Sequence, residues 1–198
     1  GVLAAIRQDS WIDYLARTLA VIGLSLPGFW FATLVILLPS IWFSWTPPLE
    51  FVSFTDNPFE NLKFFFIPSF IVGFGTMAAI MRMTRATMLE TMRQDYIRTA
   101  WSKGLRESSV VIRHALKNAM IPVVTIIGIQ VPFILGESVV IEFIFRVPGI
   151  GLLAWDSVTR RDFPMLQAVV LFVAFMYISM NLVVDLVYGW LDPRIRYA

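Results

Sequence analysis

Long runs without charge alternate with short charged segments along this chain. Thr18–Trp45 is the first such run. About 20 apolar residues suffice to cross a bilayer, so residues 18–45 are read as one span with length to spare for tilt. Pro27 and Pro39 lie inside it, each permitting a kink, and Gly28 adds to the first. Phe64–Met81 is the second run, which reaches about 27 Å at 1.5 Å per residue. Its Gly73, Gly75, Ala78 and Ala79 offer small surfaces for close helix packing. Asn118–Gly136, with Pro122 and Pro132, is the third, and Phe163–Val184 is the fourth. The pattern predicts an all-α, polytopic membrane helix bundle with about four full spans: 18–45, 64–81, 118–136 and 163–184.

The charged segments orient these spans. Residues 82–117 hold Arg82, Arg85, Arg93, Arg98, Lys103, Arg106, Arg113 and Lys117 against only Glu90, Asp95 and Glu107. Excess Lys and Arg marks the cytoplasmic side, so this loop is predicted to lie inside. Both ends of the chain, including the basic tail 192–196, then lie inside as well. Glu50–Lys63 and Phe143–Asp162 become external loops, the second carrying VPGIG (147–151) and an apolar LLAW able to dip back as a short helix. Arg7–Arg17 places Trp11, Ile12, Leu15 and Leu19 at helical spacing, which suits an interfacial helix or a solvated linker. Gly1–Ile6 reads as the tail of an apolar segment, and no signal-peptide pattern is present. The domain, residues 1–198, is therefore expected to be N-terminally incomplete.

Composition sharpens the class. The chain is 58% hydrophobic and 15% charged, with mean hydropathy +0.72, against about 25% charge in soluble domains. No cysteine and a single histidine exclude a disulfide framework and thiolate or multi-His metal sites. No phosphate-binding GxxxxGK[ST] loop occurs, so no nucleotide hydrolysis is expected from this chain. No catalytic residues, metal or nucleic-acid partner are assigned.

Candidate functional residues concentrate in the basic loop. Met88–Lys103 has helical composition, and Gly104 is placed to stop it in a left-handed conformation, with Lys103 in the last turn. Leu105–Asn118 resumes with Val110, Val111, Ala115 and Leu116 near one face and Arg106, Arg113 and Lys117 on the other. Thr99 and Ala100 are small enough to let another protein approach the backbone. Tyr96 and Leu105 supply apolar anchors, while Arg98 and Lys103 reach acidic groups. Adsorption of the loop on anionic lipid is the alternative. A charge at the bilayer centre costs roughly 2.5–3.5 kcal/mol, so other charged residues near the spans are candidates too. Glu137 and Glu142 would meet a substrate's amino group at an outer gate, or stand solvated. Asn181 and Asp185 share a helix face, and Asp185 is expected to pair with Arg82 or Arg85. His114 is expected to touch helix ends or headgroups.

The stretches QDYIRTAWSKGL (94–105), RHALKNAMIPVV (113–124), VIEFIFRVPGIG (140–151), RRDFP (160–164) and NLVVDLVYGWLDPRIRY (181–197) carry a resemblance. LAAIRQDSWID (3–13) and GLSLPGFWFATL (23–34) add to it. Together they resemble the inner-membrane permease subunits of binding-protein-dependent ABC importers, in the dipeptide, oligopeptide and nickel branch. Arg98-Thr99 stand where the general signature has Glu-Ala, and Arg106 where a capping serine is common. Arg146 and Glu137 stand where smaller or uncharged residues are usual, and the family's first two spans and first long external segment are expected to be absent or nearly so. The resemblance implies a type I importer transmembrane domain in a bacterial or archaeal cytoplasmic membrane, surrounded by lipid. It also implies a second homologous permease, two ATPase subunits holding ATP and Mg, and an extracytoplasmic solute-binding protein. Tyr96–Leu105 would be the coupling helix, and short peptides the cargo. Import of nickel or another small solute, or a self-contained secondary transporter or channel, are the alternatives.

Overall fold

The computed structural model describes residues 1–48 and 50–191, so the basic tail 192–196 lies outside the described residues. Helices α1 (Val2–Ile6), α2 (Trp11–Ser25), α3 (Gly28–Phe43), α4 (Pro58–Met92) and α5 (Asp95–Ser102) come first. A three-residue α6 (Glu107–Ser109) winds into a wider i→i+5 segment, Val110–Leu116, and continues as α7 (Lys117–Phe145). Helices α8 (Ile150–Arg160) and α9 (Phe163–Leu191) complete the order, and no strand occurs among the described residues.

The first apolar run is not one kinked helix. It is broken at Leu26 and Pro27, where Pro27 adopts an extended conformation ahead of α3. Proline lacks the N–H that would continue the ladder and drives the residue before it out of the helical region. Pro39 leaves α3 unbroken, and the helix ends instead at Ser44 in the left-handed region. Arg7–Ser10 is a turn, so the helix expected over 7–17 begins only at Trp11.

Helix α4 is longer than the uncharged run inside it, about 52 Å at 1.5 Å per residue. Asn57 starts it: its side-chain oxygen accepts the Phe59 and Glu60 N–H groups, and Glu60 adds negative charge to the first turn. At the other end α4 absorbs Arg82 and Arg85, which are helix residues rather than loop residues. Gly73 does not mark a close helix contact, since nothing lies within 4 Å of the position its Cβ would take. Glu137 and Glu142 likewise lie within α7 rather than after it. The segment containing LLAW does form a helix, α8, inclined at 79° to the last part of α7.

Contacts divide the chain into two units. The first comprises 1–24, 77–130 and 179–198, and its core joins Ala5, Met88, Ile97, Ala100, Val110, Val111, Ala115 and Ala119. In it Gly128 brings α7 against Val184 of α9, where a Cβ would meet the valine methyls at 2.6 Å. The second unit comprises 25–76 and 131–178, with a core of Ala32, Phe64, Ile71, Ile141, Phe145 and Val147. Pro58–Met92, Glu107–Val131 and Phe163–Val187 are long and apolar enough to cross a membrane. Two broken pairs, α2 with α3 and the end of α7 with α8, raise the possible total to five among the described residues. The outward apolar residues of α9, including Leu171, Phe175, Ile178 and Leu186, suit a lipid or protein-covered surface.

Candidate functional site

The basic loop folds as a short helix standing on a buried core. Helix α4 stops at Met92, a turn at Arg93 and Gln94 follows, and α5 spans only Asp95–Ser102. The continuous helix expected over 88–103 is thus divided. Ile97 and Ala100 face inward, onto Met88, Val110, Val111 and Ala115. Ala100 is therefore not a surface residue open to another protein, because helical spacing from Ile97 turns it to the same buried side. The outward set is Tyr96, Arg98, Thr99, Trp101, Lys103, Gly104 and Leu105, all exposed. Trp101 was not singled out from the sequence; a large aromatic in a short polar helix was the available signal.

Two devices fix this platform. Gly104 has φ +75°, the left-handed geometry that lets the chain turn between α5 and α6 at no steric cost. Tyr96 Oη accepts a hydrogen bond from Asn118 Nδ2 at 2.8 Å and donates to the His114 carbonyl at 3.5 Å, tying α5 to the start of α7. His114 thus contributes its backbone oxygen. The wide segment buries Val110, Val111 and Ala115 while Arg106, Arg113 and Lys117 stay exposed, as the sequence pattern indicates. Such i→i+5 turns are rare and frequently mark functional places. Helix α1, invisible as such in the sequence, packs Ala5, Val2 and Ile6 against the same core. Arg98 and Asp95 approach at 3.6 Å in solvent, a contact worth little.

Arg85 does not pair with Asp185. Its Nε and Nη2 grip the carboxylate of Asp13 at 2.5 and 2.7 Å, 72 residues away in sequence. Asp13 is fully buried, takes the Asp9 N–H at 3.0 Å, and lies 3.2 Å from Arg17 Nη2. Both carboxylate oxygens are thus hydrogen-bonded, as burial of a carboxylate requires. The expected pair failed because Arg85, deep in an extended α4, meets α2 first. Asp185 is exposed on α9 with no ion pair among the described residues, and Asn181 is half-buried one turn earlier.

Glu142 is neither solvated nor free. Its carboxylate accepts the Leu152 N–H at 2.9 Å, at the start of α8, where helix N-termini favour negative charge. The VPGIG turn makes this approach possible: a Cβ on Gly149 would overlap the Glu142 carboxyl group. One on Gly151 would lie 2.5 Å from the Val139 Cα. Glu137 makes the matching contact at Gly28, the first residue of α3, which also follows a proline. Two Pro-Gly turns, each opening a helix, are therefore each met by a glutamate of α7. The repeated Pro-Gly dipeptide was the sequence signal for this arrangement. Gly151→Ala is expected to destabilise the protein by about 1–3 kcal/mol, because the obstacle is backbone and cannot step aside. Thermal unfolding of the purified variant checks this, and an unchanged midpoint would count against it. Among the described residues no group of three His, Asp or Glu could hold a metal ion.

Comparison with known proteins gives one consistent picture. The profile of the family described as binding-protein-dependent transport system inner membrane component matches residues 1–197. The chain is 43% identical over 197 residues to a Brucella abortus (strain 2308) protein provisionally named as a peptide transport system permease, covering 100% of this chain and 63% of that one. It is 40% identical over 199 residues to the oligopeptide transport system permease protein AppB of Bacillus subtilis, covering 100% of this chain and 63% of the relative. Identity to the glutathione transport system permease protein GsiC of Escherichia coli (strain K12) is 41% over 197 residues, covering 100% and 62%. The chain thus spans less than two thirds of the length of these relatives.

Proposed function

Because the chain belongs to the family of binding-protein-dependent transport system inner membrane components, we propose that it is part of a permease subunit importing short peptides. Relatives named for peptide, oligopeptide and glutathione transport support the cargo class. The second permease, two ATPases with ATP and Mg, and the extracytoplasmic binding protein belong to this proposal, as does placement of the basic loop on the cytoplasmic side.

The observation that carries the mechanism is α5: a short helix whose inner face is locked to a core while its outer face stays exposed. That surface, with Tyr96, Arg98, Thr99, Trp101, Lys103 and Leu105, is the proposed seat of an ATPase subunit. Energy from nucleotide can shift the channel between two states only if the ATPase contacts differ between them. Ile97, Ala100 and the Tyr96–Asn118 bond make α5 stiff enough to hand that difference on to α7.

Thr99→Trp tests this. Thr99 is exposed, so insertion and folding should survive. In the full-length protein reconstituted with its ATPase and binding-protein partners, peptide-stimulated ATP turnover should fall to its unstimulated level. Undiminished stimulation would remove α5 from the coupling path. Uptake by the permease without any ATPase would sink the importer reading and favour a secondary transporter.

A further inference from the structure

Within the first unit, α2, α4 and α7 enclose a groove of about 630 Å³ that nothing in the transport reading uses. Its lining changes character along its length. Val21, Leu24, Ala79 and Ile126 make an apolar portion, while Arg17, Arg82 and Arg85 supply the charge. Arg85 is already neutralised by Asp13. Arg17 shares Asp13 and Asp9 through one nitrogen, stacks over Tyr14, and keeps its Nε without an acceptor. Arg82 is exposed and has no ion pair among the described residues. The groove therefore carries one uncompensated positive charge, on Arg82, beside an apolar wall. Along α4, Ala79 precedes Arg82 by three residues, about 4.5 Å, so the two environments adjoin.

An amphiphile with a negative head matches this gradient. A free anion would leave the apolar portion empty, and a hydrocarbon alone would leave Arg82 unanswered. We propose that the groove holds an anionic phospholipid, its phosphate on Arg82 and Arg17 and an acyl chain along Val21, Leu24 and Ala79. Basic pockets between membrane helices recognise such headgroups by charge. The lipid would wedge α2 against α4 beside the Asp13–Arg85 pair.

Native mass spectrometry of the full-length protein, extracted in mild detergent and exposed to phosphatidylglycerol or phosphatidylcholine, tests this. Wild type should retain phosphatidylglycerol preferentially, and Arg82→Gln should weaken that retention about fivefold, the effect of one basic residue at an anionic lipid surface. Arg82→Lys should preserve it. Val21→Trp, on an exposed position, should fill the apolar portion and expel lipid with every arginine intact. That variant reads the groove even if Arg82→Gln fails to fold. Equal retention of both lipids, or unchanged retention in Arg82→Gln or Val21→Trp, would overturn the proposal. So would equal occupancy by inorganic phosphate without lipid.

Discussion

Ile97→Ala should cost about 2–5 kcal/mol, the range for emptying a large buried aliphatic site, and should fall on one short element. Ile97 has no exposed surface and belongs to the cluster beneath α5. Helix α5 has only 8 residues, far too few to persist in water by itself. Its attachment rests on Ile97, Ala100 and the Tyr96–Asn118 bond, and alanine at 97 removes the largest of these. Hydrogen exchange in the full-length protein should show faster exchange over 95–102, with 163–187 unchanged. Equal exchange over 95–102 in variant and wild type would mean that α5 is held by something other than this core. Since the outward residues are untouched, lost coupling in this variant would report stiffness rather than recognition.

Asp13→Ala is the second large effect. Removing one partner of a buried ion pair strands the other charge, which costs about 3–5 kcal/mol when both are fully enclosed. Arg85 keeps 17% of its side chain exposed and can turn partly toward water, so about 2–4 kcal/mol is expected here. Apolar replacement of both partners, Asp13→Leu with Arg85→Met, should recover part of the loss: neither charge of the pair then remains, although Arg17 and the Asp9 N–H still lose the carboxylate. Thermal midpoints of the single and double variants in the same detergent give the comparison. A double variant no better than Asp13→Ala would show that the pair matters through shape rather than charge.

The apolar runs were legible because crossing a bilayer demands long uncharged stretches, and those stretches are helical in the structure except at 26–27 and 44–45 in the first. Gly104 was legible too, since one residue type answers the need for a left-handed turn. The division between α4 and α5 was not. Met88–Lys103 is uniformly good helix material, and the break at Arg93–Gln94 follows from Ile97 folding back onto the core. The inward turn of Ala100 has the same origin. Asp13 escaped notice because its partner lies on a distant helix, and local spacing says nothing about which of several arginines will arrive. Helix bounds failed at Arg82 and Glu137 for a related reason: charge signals the edge of an apolar run, not the end of a helix.

Glu137 and Glu142 ride on one rod, five positions apart, each seated against the entrance of a different helix. Drawing either Pro-Gly corner away from α7 would take from a carboxyl group the helix entrance it is packed against. The two corners are consequently geared to a common shaft: a turn or slide of α7 must carry both along, or strip a charge of its seat.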